Sequence, residues 1–410
     1  MSAGPARRLA GAVCCAVVVA ICGSAPAAPA AADPPRPDAR AWILVDAGDG
    51  EVLAAHRARR PAAIASTTKL MTAYVARRRL GLDERVVAPG YDGDPVESLL
   101  GLRAGERIRV RDLLAGLLLV SGNDAAVALA EASSGSVGDF VAAMNGAAER
   151  LGLAGTSYEN PIGLDAPDNH STPYDLARLA IELRRDPFLR DLFDTPRMRL
   201  MSGAQRRSLV NRNDLVLEVP WVDGVKTGQT SNAGHVLVAS GTRKGVTLVS
   251  VVLGADDEDA RDEATLALLR YGFSLYHRTS PVTRSERLAA AAIRYRDERL
   301  PLLAGGVVRL TLREGQEVDT RVVAPDEVEG PISRRERLGR ATVTVDGDVV
   351  ARVPVVAGRS VAAPTALERI DAAIPGSRPV AWGLAIGLVA VAVAGILGVR
   401  GSRRRGRRGG

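Results

Sequence analysis

Apolar positions along this chain fall into two regimes. From Ala41 onward, short alternating runs are interleaved with apolar stretches of helical length, and between about residues 300 and 360 only the alternating kind remains. Trp42-Ile43-Leu44-Val45 and Val52-Leu53-Ala54, parted by the turn residues Asp46 to Gly50, predict a β-hairpin. A helix carrying Ser66 and Lys69 follows at once, then a Gly/Asp/Pro loop from Asp92 to Gly101. Val110 to Val120 is strongly apolar, with Asp112 in its first turn, and predicts a buried helix that ends at Ser121-Gly122-Asn123. Asp124 is expected to cap a second apolar helix running to Ala132, and an amphipathic helix covers roughly Val137 to Leu151. A polar loop from Leu164 to Pro173 precedes a helix at Tyr174 to Arg184. Its Asp165, Asp168 and His170 are candidate ligands or catalytic groups, though cap and turn roles suit them better. From Ser208 the chain turns β-rich, with strands at His235 to Ala239 and Val246 to Leu253. A helix at Arg261 to Leu269 then leads into Tyr271-Gly272-Phe273.

This order of elements predicts helix clusters packed on an antiparallel sheet built from both ends of the segment, an α/β (α+β) sandwich over residues 41–277. Residues 278–300 read as a charged connector. Val307 to Leu312, Thr320 to Val323, Ala341 to Val345 and Val349 to Val356 then alternate at period two, and Asp346-Gly347-Asp348 makes a hairpin turn, so 301–360 is expected to be a small all-β domain. It holds no catalytic constellation and reads as a spacer or stalk. A linker covers 361–379. Val380 to Val399 is free of charge and, at about 1.5 Å per residue, long enough to span a bilayer as a helix. The arginine-rich tail at 400–410 fits a cytoplasmic end. At the other terminus, Arg7 and Arg8, the apolar Leu9 to Gly23 and the small residues Ala25 to Ala32 read as a secretory signal over 1–32, followed by a proline-bearing linker at 33–40. The expectation is an exported protein anchored by its C-terminal helix.

Length and composition narrow the classes further. At 410 residues and 46% hydrophobic, the chain has material for two folded units. Its net charge of +7 belongs to the ends: without the two leader arginines and the six tail arginines, residues 33–399 carry −1. A nucleic-acid-binding surface is therefore not indicated. All three cysteines lie in the leader, so the mature chain has no disulfide and no thiolate metal site. Only four histidines occur and no His-Glu-x-x-His pair, which argues against a zinc hydrolase and leaves no metal or cofactor implied.

Ser66 and Lys69 are three residues apart at the head of a helix, so hydroxyl and amine share one face. The helix dipole favours an oxyanion at Ser66, and a lysine desolvated beside other cations loses its proton readily enough to act as a base. A serine cap followed by a solvated lysine is the ordinary alternative. Two further elements raise the first reading: Ser121-Gly122-Asn123 after a buried helix, and Lys226-Thr227-Gly228 on a strand.

In this order the three elements resemble those of the serine D,D-peptidases, the penicillin-binding protein superfamily whose signature set also occurs in class A β-lactamases. More narrowly the chain resembles the low-molecular-mass D-alanyl-D-alanine carboxypeptidases, peptidase family S11. Ala65-Ser66-Thr67-Thr68-Lys69-Leu70-Met71-Thr72, Leu119-Val120-Ser121-Gly122-Asn123-Asp124-Ala125 and Val222-Asp223-Gly224-Val225-Lys226-Thr227-Gly228 carry the likeness. Asn160-Pro161-Ile162-Gly163-Leu164-Asp165 and Arg261 with Tyr271-Gly272-Phe273 match as well. The resemblance implies the penicillin-binding-protein/β-lactamase-like transpeptidase fold followed by the β domain. Ser66 would be the acylated nucleophile, Lys69 its proton acceptor and Ser121 the relay to the leaving D-alanine. Asn123 would bind the substrate backbone, Lys226 would supply positive charge, and Thr227 and Arg261 would hold the terminal carboxylate. Backbone N–H groups of Ser66 and of Gln229, beyond Gly228, would form the oxyanion hole. Gln229 departs from the family pattern, where histidine or an aromatic residue commonly stands, and leaves substrate preference and β-lactam affinity open. The implied partners are peptidoglycan stem peptides ending in D-Ala-D-Ala, β-lactams as inhibitors, and the membrane. A class A-like β-lactamase is the alternative enzyme, but no Glu-x-x-Leu-Asn loop occurs. A wall-binding scaffold with a relic site, and an endopeptidase using the same residues, stay open.

Overall fold

The computed structural model describes residues 19–20, 33–94 and 96–373, and the described chain divides into two units between His277 and Arg278. Residues 19–20 apart, the expected leader, and with it the expected membrane span and the arginine tail, lies outside the described residues. No helix among those described is long and apolar enough to cross a membrane.

In the first unit, strands β1 (Ala41–Asp46), β2 (Val52–His56), β3 (Val222–Thr230), β4 (Gly234–Arg243) and β5 (Val246–Ala255) form an antiparallel sheet. Their spatial order is β3-β4-β5-β1-β2, so the two ends of the segment meet where Val251 pairs with Ile43. Alternation along β1 explains the two layers around the sheet. Trp42 and Leu44 face a core shared with Leu237, Leu248, Leu268 and Leu269, while Ile43 and Val45 face a larger core shared with most of the helices.

Eight helices complete the unit: α1 (Lys69–Arg79), α2 (Val110–Leu119), α3 (Asn123–Ser134), α4 (Val137–Arg150), α5 (Pro173–Leu183), α6 (Pro187–Phe193), α7 (Asp214–Glu218) and α8 (Glu258–Ser274). Every residue of α2 but Arg111 is buried, as its all-round apolar sequence requires.

Two local expectations are corrected. Asp124 does not cap α3; Gly122 occupies that position, and the Asp124 carboxylate instead accepts from the N–H groups of Leu100, Gly101 and Leu102, each at 2.8 Å. The last helix starts earlier, capped by Asp257, and runs through Tyr271-Gly272-Phe273 rather than stopping before them. Gly272 is a packing glycine: a Cβ there would lie 2.5 Å from Leu248 Cδ1 and 2.8 Å from Leu44 Cδ2, so the bare backbone lets α8 lie on the sheet. In the polar loop, Asp165 ties the loop to the end of β3 by accepting from Thr230 Oγ1 at 2.7 Å and Asn232 N at 3.2 Å. His170 pairs through its backbone with Ala63 and Ser157, and Thr172 caps α5.

The second unit is built of β-strands with one helix, Ala366–Ala373, after them, and residues 278–300 are part of it rather than a connector. Strands Tyr276–Val282, Arg287–Ile293 and Arg299–Ala304 precede the expected ones at Val308–Arg313, Val318–Val323, Arg337–Val345 and Asp348–Ala357. Asp346 and Gly347 both take positive φ, 52° and 89°, as a two-residue hairpin turn demands.

Candidate active site

Ser66 does not lie on α1 itself but in a 3₁₀ turn, Ala65–Thr68, that leads into it. Ala65 holds a φ of 47°, a left-handed conformation rare for a residue with a Cβ, and it turns the chain out of Ile64 so that Ser66 enters the turn. The spacing of three then brings Lys69 Nζ within 2.9 Å of Ser66 Oγ. The same amine donates to the Ile162 carbonyl at 2.5 Å. That carbonyl is fixed from behind by Asn160, whose Oδ1 accepts from the N–H groups of Ile162, Gly163 and Leu164. Gly163 is obligatory here: at φ 88°, a Cβ would sit 2.1 Å from the Ala65 carbonyl oxygen.

Lys69 is 0% exposed. Burial, and then the charge of Lys226, hold its amine well below the ordinary lysine range, with Glu97 and Asp124 pulling back and Arg212 adding to the depression. Lys226 is also buried, on β3, and donates to the Thr227 carbonyl at 2.8 Å. Burial, Arg212 and Arg261 push it down to about 7.

The next residues of β3 close on the nucleophile. A Cβ on Gly228 would lie 2.8 Å from Ser66 N and 3.0 Å from Ala65 Cβ, so the missing side chain is what lets the strand reach the serine amide. Thr227 is buried and Gln229 exposed beside it.

Ser121 lies in the turn between α2 and α3 with φ at 63°. Its Oγ is buried and has no hydrogen-bond partner among the described residues, an arrangement expected of a group reserved for a substrate. Asn123, at the head of α3, donates from Nδ2 to Glu97 Oε2 at 2.6 Å, and Tyr91 Oη donates to the same oxygen. Burial raises the Glu97 carboxyl, but the hydrogen bonds from Tyr91 and Asn123 outweigh it and keep the group below the usual carboxylate range. Arg261 on α8 is buried. Its Nε and Nη1 pair with Asp262 and Glu258, while Nη2 finds no partner among the described residues.

Ser66, Lys69 and Gly228 are thus brought together directly, with Lys226 coupled to Lys69 through its charge, Asn123 joined through Glu97 and Arg261 through its field on Lys226. Three contributors were not foreseen as site members: the Ile162 carbonyl, Glu97 and Tyr91. The Asn160-Pro161-Ile162-Gly163 run was visible as a motif, but nothing in it announces that a backbone oxygen is the working group. Among the described residues no cluster of three His, Cys, Asp or Glu is placed to hold a metal ion.

A serine hydroxyl against a buried amine of depressed pKa, with a second cation nearby, defines the class of serine acyl-transfer enzymes that use lysine in the place of histidine. Comparison with known proteins fixes the family. Residues 28–257 match the D-alanyl-D-alanine carboxypeptidases of peptidase family S11, and residues 276–363 match the C-terminal domain of penicillin-binding protein 5. The D-alanyl-D-alanine carboxypeptidase DacD of Escherichia coli is 34% identical over 363 residues, covering 84% of this chain and 92% of that one. DacF of Bacillus subtilis, of the same description, is 30% identical over 330 residues, covering 78% and 85%. Penicillin-binding protein 6B of Escherichia coli superposes with a TM-score of 0.58 at 30% identity, covering 80% of this chain and 98% of that structure. The chain belongs to the D-alanyl-D-alanine carboxypeptidase family and is a serine peptidase.

Proposed function

We propose that this chain removes the terminal D-alanine from peptidoglycan stem peptides through an acyl-enzyme at Ser66. The observation that carries the reading is the 2.9 Å approach of Lys69 Nζ to Ser66 Oγ in a site where burial favours the neutral amine. A neutral Lys69 keeps one N–H on the Ile162 carbonyl and turns its lone pair to the serine hydroxyl. Ser66 Oγ then bonds to the carbonyl carbon of the penultimate D-alanine as its proton passes to Lys69. Backbone N–H groups of Ser66 and Gln229 take the oxyanion, each such donor being worth about 3 kcal/mol in comparable chemistry. Collapse breaks the peptide C–N bond, and the proton travels through Ser121 Oγ to the departing amine. Water, deprotonated in turn by Lys69, hydrolyses the ester. Lys226, Thr227 and the free Nη2 of Arg261 hold the substrate's terminal carboxylate, and Asn123 Oδ1 faces the peptide because Nδ2 is engaged by Glu97.

β-Lactams acylate the same serine in this reading. Export by residues 1–32 and anchoring by residues 380–399, with the arginine tail inside, place the catalytic unit on the outer face of the cytoplasmic membrane; the sequence supports this part alone. The test uses a fluorescent penicillin and a D-Ala-D-Ala peptide on wild type and Ser66→Ala. Stable labelling lost in the variant, together with D-alanine release by the wild type, is expected. Rapid turnover of the penicillin without D-alanine release establishes a β-lactamase instead, and neither reaction from folded protein establishes a non-catalytic wall-binding role.

A further inference from the structure

The second unit is built from a repeated sequence. Pro281-Val282-Thr283-Arg284-Ser285-Glu286-Arg287-Leu288 recurs as Pro331-Ile332-Ser333-Arg334-Arg335-Glu336-Arg337-Leu338, and Leu300-Pro301-Leu302-Leu303-Ala304-Gly305 as Val353-Pro354-Val355-Val356-Ala357-Gly358. The structure repeats with it. Ser285 and Arg335 take the same left-handed φ, 65° and 68°. Ser285 N donates to the Ala304 carbonyl at 3.0 Å, and Arg335 N to the Ala357 carbonyl at 2.9 Å. Gly305 N donates to the Pro354 carbonyl at 2.8 Å, and Gly358 N to the Pro301 carbonyl at 2.9 Å. Even the steric contacts match: a Cβ on Gly305 would meet Pro354 and Val356, and one on Gly358 would meet Pro301 and Leu303. Because Leu303 pairs with Val356 in an antiparallel ladder, the two copies are related by an approximate two-fold axis near that pair.

A hollow of about 210 Å³ lies between the copies, and both turns open on it. Arg284 and its counterpart Arg334 line it from the two sides, with Arg335 beside them, and no acidic residue lines it. The nearest carboxylates are committed to their own turns: Glu286 accepts from Thr283 N and Oγ1 at 2.7 and 2.9 Å, and Glu336 accepts from Ser333 N at 2.8 Å. None of the three arginines forms an ion pair among the described residues. Arginines contributed by both copies at one small hollow suit a tetrahedral oxyanion, whose oxygens guanidinium groups can bind in a bidentate fashion.

We infer that this pseudo-symmetric hollow is a binding site for a phosphate group, remote in sequence from the peptidase residues and independent of their chemistry. The group is supplied either by a phospholipid headgroup or by free phosphate. Isothermal titration of the full chain in neutral detergent micelles, with inorganic phosphate and separately with glycerophosphoglycerol, tests it. Binding of at least one probe is expected, weakened about tenfold or more in Arg284→Ala/Arg334→Ala and partly retained in Arg284→Lys/Arg334→Lys, which keeps charge without the fork. A preference for the diester identifies the lipid source, and a preference for the monoester identifies free phosphate. Arg321→Ala/Arg352→Ala, which removes the same charge from exposed strand positions, is expected to bind as the wild type does. A calorimetric unfolding profile matching the wild type, transition of the second unit included, shows that each variant is folded. Absence of binding by the wild type, or equal weakening by both pairs of substitutions, overturns the inference.

Discussion

Neutralising Glu97 separates two roles that this side chain combines. Its carboxylate accepts from Asn123 Nδ2 at 2.6 Å and from Tyr91 Oη, and its charge raises the pKa of Lys69 against burial and Lys226. In Glu97→Gln an amide oxygen still accepts from Asn123, but the bond is no longer charge-assisted. Hydrogen bonds to charged groups contribute about 1.5–3 kcal/mol against about 1 for neutral ones, so the loss is about 1 kcal/mol, or roughly fivefold in kcat/KM at the optimum. The electrostatic effect has a definite sign. With the negative charge gone, protonated Lys69 is less favoured and its pKa falls further. In the proposed mechanism Lys69 must be neutral to accept the serine proton, so the acid limb of kcat/KM is expected to move to lower pH. The assay is the second-order rate of acylation by a fluorescent penicillin across the pH range, for wild type, Glu97→Gln and Glu97→Asp. The aspartate variant restores charge and is expected to return the limb toward the wild-type position. An acid limb in Glu97→Gln that stays in place or moves upward refutes the coupling of Glu97 to Lys69.

Lys226, pushed down to about 7, is charged below that pH and neutral above it, whereas the substrate carboxylate is anionic throughout. The carboxypeptidase kcat/KM is therefore expected to fall above about pH 7, and the fall is expected to disappear in Lys226→Arg, which keeps its charge. Gly228→Ala places a Cβ 2.8 Å from Ser66 N and should force the strand away from the oxyanion donors, lowering kcat by roughly a hundredfold with little change in melting temperature. An unchanged acylation rate in that variant would exclude this amide from the oxyanion hole. Asp124→Ala leaves the Leu100, Gly101 and Leu102 amides without their acceptor; a loss of about 3 kcal/mol, seen as a melting temperature lower by roughly 6–12 °C in calorimetry, is expected.

What the sequence disclosed and what it hid divide along a physical line. Ser66 and Lys69 were legible because helical geometry converts a spacing of three into contact, and the β1–β2 hairpin because alternation and turn residues agree. The Ile162 carbonyl meets Lys69 across 93 residues and Glu97 meets Asn123 across 26, distances over which local pattern carries no register. Asp124 was misread for the same reason: an acidic residue beside a helix start suits a cap, and only the fold reveals three loop amides above it. The strands at 278–300 were hidden by composition. In Arg287–Ile293 the buried positions are Leu288, Ala291 and Ile293, and a run of alanines between them erases the contrast that period two depends on.

The two buried lysines explain each other. A site with both protonated would have no base, and one with both neutral would have no cation for the substrate carboxylate. Burial is the largest cause for both, but among charged neighbours Lys69 feels Lys226 most strongly, while Lys226 feels the arginines Arg212 and Arg261. Burial, and after it the charge on Lys226, thus favours a neutral Lys69. In the proposed mechanism, when Ser66 hands its proton over, two ammonium groups coexist in a buried site, offset by the nascent oxyanion and by Glu97 and Asp124. In that mechanism the repulsion favours release of the proton from Lys69 when the leaving amine needs it. The same coupling that prepares the base for the first half of the reaction therefore drives its discharge in the second, and it weakens once Lys226 loses its own proton.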